Sequence, residues 1–320
     1  MKKHIIGLVL FIACILLFAK CLGDNEEVIT EFFFEKPNKE DQPTRTTTTP
    51  NHQPQPTATT INPSSQNDEL VALLIAQANR EVSEQILIRI GYIVSYNNET
   101  KCPNWVSWHL IAEHTDGAYS RKGVPYYADD GTVYGIGSVT PEICKNGYIV
   151  DLESKEPRQQ INDWTGDYNM SHGHMCPAGD NKWDKAAINQ TFLLTNMCPQ
   201  DEKLNGGGWK ALEDKCRTWA NHYGDIFIVT GPIYNGGINR TLGEGKIAIP
   251  DAFFKVILCM KNEPKAIGFI YNNDPSTQSM TDKVYSIDDI EELTGFDFFS
   301  VLPDEIEIIV ESASNLNNWD

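Results

Sequence analysis

Ser171-His172-Gly173-His174-Met175-Cys176-Pro177-Ala178-Gly179-Asp180 is the stretch around which the 320-residue chain is organised. Two histidines flank a glycine and a proline turn follows, the pattern of a rigid strand end that carries an imidazole toward a substrate. A second polar group follows downstream: Asn196 in Thr195-Asn196-Met197-Cys198-Pro199-Gln200, then Asn205, then Glu213. An imidazole titrates near neutral pH, so beside water and a phosphodiester His174 can take the proton that generates hydroxide. An isolated histidine is more often a structural one satisfied by a backbone carbonyl; the downstream polar residues are what favour chemistry here.

If Asn205 and Glu213 lie on one helix, the residues between them turn it by about 800° and rise about 12 Å. They can then line one cleft but can hardly both be inner ligands of a single ion. The economical arrangement is Asn205 bound directly to a hard, oxygen-liking cation, with Glu213 holding a water of its shell. A single asparagine leaves most of the shell to water and substrate phosphate, which is how Mg2+ prefers to bind, with Mn2+ as a substitute. The plainer alternative is that Asn205 caps a helix beginning near Trp209 and Glu213 lies on its solvated face. Gly206-Gly207-Gly208 suits either. A zinc string through His172, His174 and Cys176 is a rival, opposed by the lack of any CxxC pair.

The net charge is −18, and residues 1–87 carry seven basic and eleven acidic groups, so most of the excess falls on residues 88–320. An acidic domain does not attract nucleic acid at long range, so any phosphate chemistry must rely on local positive groups or a metal. Lys2, Lys3 and His4 precede an apolar run from Ile5 to Ala19, too short to span a bilayer comfortably. Residues 1–21 therefore read as a signal peptide, with Cys14 and Cys21 as candidate lipidation points, and imply an exported protein: a cell-surface or outer-membrane lipoprotein, or a secreted or periplasmic one. Residues 22–68 are acidic and then rich in Thr, Pro, Gln, Asn and Ser, the composition of an extended tether. Residues 69–320 form the expected folded domain. Its six cysteines, Cys102, Cys144, Cys176, Cys198, Cys216 and Cys259, favour disulfides in an exported chain.

Within that domain the apolar spacing of 70–88 predicts a helix. Alternation over 90–96 and the run 103–111 predict a hairpin. Short helical spacing covers 186–192 and strong helical periodicity covers 209–223; 226–232, 253–259 and 266–271 read as strands. Ser286 can cap a helix starting at Ile287, with Asp288, Asp289 and Glu291 at its positive end. The pattern is α+β, mixed around a mainly antiparallel sheet, without regular βαβ alternation.

Taken together, SHGHMCPAGD (171–180), NQTFLLTNMCPQ (189–200) and LNGGGWKALE (204–213) resemble the DNA/RNA non-specific endonucleases of the ββα-metal superfamily, relatives of mitochondrial endonuclease G. The resemblance continues through 229–234, 249–256 and 287–295 and covers about residues 88–310. It implies a ββα-metal nuclease core, DNA and RNA as substrates, His174 as general base, Asn205 as metal ligand, Glu213 as catalytic-site glutamate and Asn196 as active-site asparagine. It further implies that Arg217, one turn beyond Glu213, faces phosphate. The family signature is DRGH where this chain has Ser171-His172-Gly173-His174, so His172 stands in place of a forked phosphate donor and can replace it only when protonated. That departure implies weakened activity or a lower pH optimum, and leaves a catalytically weakened or inactive surface binding protein on the same fold as the alternative. Arg121 and Arg158 are both candidates for a further upstream arginine of the family.

Overall fold

The computed structural model describes residues 66–165 and 169–319; the expected signal peptide and nearly all of the expected tether lie outside these. The chain divides into two units, 1–72 and 73–320, and most of helix α1 (Gln66–Leu73) is what is described of the first.

In the second unit the sequence builds one antiparallel sheet. In chain order its strands are β1 (Gln85–Ile88), β2 (Ile93–Asn97), β3 (Cys102–Ile111), β6 (Asp225–Ile233), β7 (Ala252–Cys259), β8 (Lys265–Asn272) and β9 (Val284–Tyr285). Strands β4 (Met170–His174) and β5 (Met197–Asp201) form a separate two-stranded ribbon. The helices that matter below are α2 (Lys185–Gln190), α3 (Lys210–Tyr223), α4 (Ile287–Thr294) and α5 (Asp304–Glu311). The sheet order is β9-β8-β7-β6-β3-β2-β1. Its central register places Val94 opposite Val106, Val106 opposite Thr230, Val229 opposite Val256 and Phe253 opposite Tyr271.

Every residue of β6 and β7 is buried, because helices cover both faces. Successive side chains on a strand point to opposite faces. Phe269 of β8 stacks on Trp219 of α3 (centroids 6.3 Å), whereas a Cβ on its neighbour Gly268 would lie 2.5 Å from Ile290 of α4. So α3 covers one face and α4 the other. On the α3 face Trp209 packs at 5.6 Å from Phe253; on the α4 face Phe254 packs at 5.2 Å from Phe298.

The expected helix over 70–88 is a correction: α1 ends at Leu73, and Gln85–Ile88 is instead an edge strand paired with β2. The apolar run Ile86-Leu87-Ile88 is short and rich in β-branched residues, and a free sheet edge offers its backbone a ladder. A further helix, α5, follows the one expected at 287, whose Ser286 cap is present: Asp289 N donates to Ser286 Oγ (3.1 Å) and Ser286 N to Asp289 Oδ2 (3.2 Å). The disulfide expectation is also corrected. All six cysteines of the described residues are free thiols, and all but Cys144 are buried as small apolar groups in the core.

Candidate active site

His174 is the last residue of β4, held against β5 with His174 opposite Met197 and Gly173 opposite Cys198. Gly173 admits this close approach, since a Cβ there would sit 2.5 Å from Gln200 Cβ. The imidazole of His174 is 8% exposed, packs edge-on to Phe192 (4.9 Å), and its Nε2 has no partner. Burial first, and then the positive field of Arg121, pushes its pKa down to about 3, so the ring is neutral at physiological pH and, with nothing bound beside it, a weak base.

His172 lies one pleat back in a different environment. Its ring is sandwiched between Tyr148 (3.9 Å, 15°) and Trp164 (3.7 Å, 17°). Burial, then Arg121, lowers its pKa to about 4. A ring clamped between two aromatic faces and desolvated is disfavoured in its protonated form, which works against the partial, proton-dependent replacement of the family arginine expected of it. The positive charge comes from Arg121, in a one-turn helix over Arg121–Gly123. Its guanidinium donates to Tyr148 Oη (2.9 Å) and lies 5.6 Å above the Phe192 ring. Arg158 is committed elsewhere, donating to the carbonyls of Leu152 (2.7 Å) and Asp151 (3.3 Å) and pairing with Glu156.

Asn196 is fully buried with its amide wholly engaged. Oδ1 accepts from Cys176 N (2.9 Å), and Nδ2 donates to the carbonyls of Cys176 (2.9 Å) and Thr191 (2.8 Å). It braces the backbone immediately after His174, and both N–H groups of its amide are spent on backbone carbonyls.

Asn205 and Glu213 do not lie on one regular helix. Residues Asn205–Trp209 form a π turn in which Gly207 departs from helical geometry (φ −111°, ψ −110°), and α3 begins only at Lys210. Asp201 caps the short turn before Asn205, accepting from Lys203 N (2.8 Å) and Leu204 N (3.3 Å). Asn205 Nδ2 donates to Ser171 Oγ (2.8 Å), which fixes the amide beside β4 and leaves its carbonyl oxygen available. Gly208 is needed at this bend, because a Cβ would lie 2.8 Å from Tyr271.

Glu213, in the first turn of α3, is half-buried and has its pKa raised to about 7. Burial is the main cause, opposed by the ammonium of Lys255 and assisted by Asp180. Lys255 is fully buried on the α3 face of β7, its Nζ between the rings of Trp209 (4.6 Å) and Trp108 (4.9 Å) and without a hydrogen-bond partner. Trp108 in turn donates from Nε1 to Asp180 Oδ2 (3.1 Å). Arg217, one turn beyond Glu213, is bound to Asp180 Oδ1 (2.6 Å) and to Asp214 Oδ1 (2.6 Å). The guanidinium implied to face phosphate thus has two donors occupied by carboxylates and ties α3 to the turn after His174. Lys255, Trp108 and Asp180 carry no signal in the sequence for this role; a lone lysine in an otherwise apolar strand is the only hint.

The donor set fits a hard divalent cation. The amide carbonyl of Asn205 and the half-buried carboxylate of Glu213, which has no hydrogen bond or ion pair among the described residues, are oxygen groups of the kind that hold such an ion directly or through one of its waters. Zinc is not supported: among the described residues, His172, His174 and Cys176 do not gather into a metal-binding group.

The family described as DNA/RNA non-specific endonuclease matches residues 72–305. Relatives include the mitochondrial nuclease EXOG of Danio rerio, 27% identical over 66% of this chain and 60% of its own length. Nuclease C1 of Cunninghamella echinulata var. echinulata is 30% identical over 69% of this chain and 84% of that protein. A crystal structure of the EndoG/EndoGI complex shares the fold, with TM-score 0.56 and 22% identity over 70% of this chain and 89% of that chain. The chain spans roughly 55–64% of the length of the EXOG relatives it matches. The expectation of an exported or lipid-anchored cell-surface protein is overturned by these relatives, among which the EXOG proteins and the yeast nucleases are mitochondrial. The length and flanks of the apolar run 5–19 are features that signals for different destinations share. With its family profile matched over most of the chain and the sheet, ribbon and helix of that fold around His174, the protein belongs to the DNA/RNA non-specific endonuclease family, a family of metal-dependent hydrolases.

Proposed function

We propose that the chain hydrolyses phosphodiester bonds in DNA and RNA with little sequence preference, using Mg2+, with Mn2+ as a substitute. The observation that carries this reading is the imidazole of His174: buried, neutral, with Nε2 unpartnered, and lying in the field of Arg121. In this reading His174 takes the proton of the attacking water, Asn205 holds the ion and Glu213 holds a water of its shell. When bound, the ion supplies positive charge to the phosphate oxygens and the leaving oxygen. Arg121 contributes the permanent cation that His172 cannot. His172, stacked between Tyr148 and Trp164, forms a rigid aromatic wall, and Asn196 holds the 175–177 backbone so that the imidazole keeps its aim. Arg217 and Lys255 balance the negative charge of Asp180 and Glu213.

The net charge of −18 gives no long-range attraction for nucleic acid, so association rests on Arg121 and the ion, and salt tolerance is lower than a basic nuclease shows. A second reading, a binding protein on this fold with little activity, is motivated by the SHGH departure at 171–174. Incubating the purified protein with supercoiled plasmid and with RNA separates the two. The nuclease reading expects nicking and RNA degradation with Mg2+ that stop with chelator. No cleavage with Mg2+ or Mn2+ from about pH 5 to about pH 9, a span covering the histidine and carboxylate titrations, would sink it.

A further inference from the structure

On the sheet face opposite α3, α4 and α5 bring together three carboxylates that the nuclease site does not use. Asp288 and Glu291 are one turn apart on α4 and so share a face, and Glu311 is the last residue of α5. One oxygen from each lies within 4.8 Å of the others. That spacing suits ligands placed 2.3–2.6 Å from a common calcium-sized ion, roughly twice the ligand distance at its widest.

An acidic cluster alone would mean little, but Glu311 adds a separate observation. It is 5% exposed, its Oε1 is buried, and it has no hydrogen-bond partner. An unpaired carboxylate in that position is costly unless something positive meets it. Its place at the C-terminal end of α5 adds the negative end of the helix dipole. Among the described residues none of the three is in an ion pair, whereas other buried carboxylates of this chain, Asp151 and Asp180, each hold an arginine. Asp297 and Glu307 add further negative charge around Glu291 and Glu311. Glu291 keeps one oxygen oriented by accepting from Phe298 N (2.7 Å), and Asp288 is exposed, leaving a side open for water to complete a coordination shell.

We propose that Asp288, Glu291 and Glu311 form a second, non-catalytic divalent-cation site of the calcium type, which clamps α4 to α5 on the back of the sheet. The ligands are all oxygen, the set carries three formal negative charges, and the ion offsets a repulsion that the fold otherwise holds in place. A shared proton between Glu291 and Glu311 is the competing way to relieve that repulsion.

The test uses the full chain stripped of metal, in an Asn205→Ala background so that the nuclease site does not contribute, titrated with Ca2+ by calorimetry and by thermal melting at about pH 8, where ordinary carboxylates are ionised. The proposal expects one Ca2+ per chain and a rise in Tm, both lost in Glu311→Gln and binding weakened at least about tenfold in Asp288→Asn, which removes one ligand charge. Without Ca2+, Glu311→Gln is expected to melt at or above the temperature of its parent, because a buried carboxyl without a partner is gone; Asp288→Asn, at an exposed position, decides the matter if Glu311→Gln fails to fold. No Ca2+ binding up to about 1 mM, the weak end of protein calcium sites, or binding unchanged by both substitutions, overturns the site.

Discussion

Replacing Arg217 by Met tests whether this arginine acts mainly on Asp180 or on substrate. The guanidinium side chain is 17% exposed, and it holds Asp180, whose side chain is 1% exposed, at 2.6 Å. Its second partner, Asp214, is 52% exposed and contributes only a surface pair, about 0.3–0.5 kcal/mol. The dominant effect is therefore Asp180 left buried with only the Trp108 Nε1 donor at 3.1 Å. Removing one member of a buried pair costs roughly 3–5 kcal/mol. The cost has a defined pH dependence. The Asp180 pKa is already raised by burial, with Arg217 the first influence opposing it. Without Arg217 it rises further, and an acid whose folded pKa lies above its unfolded value takes up protons on folding as pH falls, so stability is regained toward low pH. Urea denaturation of Arg217→Met is expected to show a loss of about 3–5 kcal/mol near pH 8 and a loss smaller by at least about 1.4 kcal/mol near pH 5. Arg217→Met/Asp180→Asn is expected to recover most of the loss and to keep cleavage within about tenfold of wild type. An equal loss at both pH values, with no recovery in the double variant, refutes this reasoning; a folded double variant as inactive as the single one restores the phosphate-facing role that the family resemblance implies for Arg217.

His172→Phe keeps the stack between Tyr148 and Trp164 and is expected to leave cleavage within about fivefold and its pH profile unmoved, because the imidazole it replaces is already neutral; a loss of about 10²-fold in plasmid cutting would return a charge role to His172. Arg121→Ala is expected to lower kcat/KM by about 10²-fold with the fold intact, while Arg158→Ala moves stability rather than cleavage; equal effects on kcat/KM would show the wrong arginine has been chosen. Asn196→Ala leaves two backbone carbonyls and one N–H unpartnered in the core, a loss of at least about 3 kcal/mol by chemical denaturation, and a loss under about 1 kcal/mol would contradict the brace role. Glu213 has its pKa raised to about 7, so below that pH it is protonated and must lose the proton to hold a cation. Half-saturating Mg2+ in the cleavage assay is then expected to rise up to about tenfold per pH unit below about 7, and an unchanged value near pH 5.5 would exclude Glu213 from the site.

Much of the architecture is legible in residue order. The buried strands 226–232, 253–259 and 266–271 announce themselves as short apolar runs between turn residues, and Ser286 with Asp289 marks a helix start three residues apart. The ribbon that carries His174 is legible because a glycine and a proline punctuate it. What the sequence hides is what tertiary packing decides. The run 86–88 fits a helix or a strand until a sheet edge is there to pair with it. Arg121 is far from His174 along the chain and reaches the site through a loop-rich segment with no periodicity, so nothing local separates it from Arg158. The stack on His172 needs Tyr148 from a short hairpin strand and Trp164 from another segment, and without it an exposed, titrating histidine is the natural reading. Gly207 breaks the helix that the spacing of Asn205 and Glu213 assumes. Lys255 reads as one polar residue in a strand, and only the closed face above it shows an ammonium held between two indoles beside two carboxylates.

Single-turnover cleavage of plasmid by His174→Ala, read beside its urea midpoint, tests the role of the His174 imidazole most directly. The prediction is a fall of about 10²–10⁴-fold in rate with Mg2+ present and a protein that stays folded, with a midpoint lowered only by the lost packing on Phe192. A folded His174→Ala protein that still cuts within about tenfold of wild type would contradict the assignment of the general base and with it the proposed mechanism.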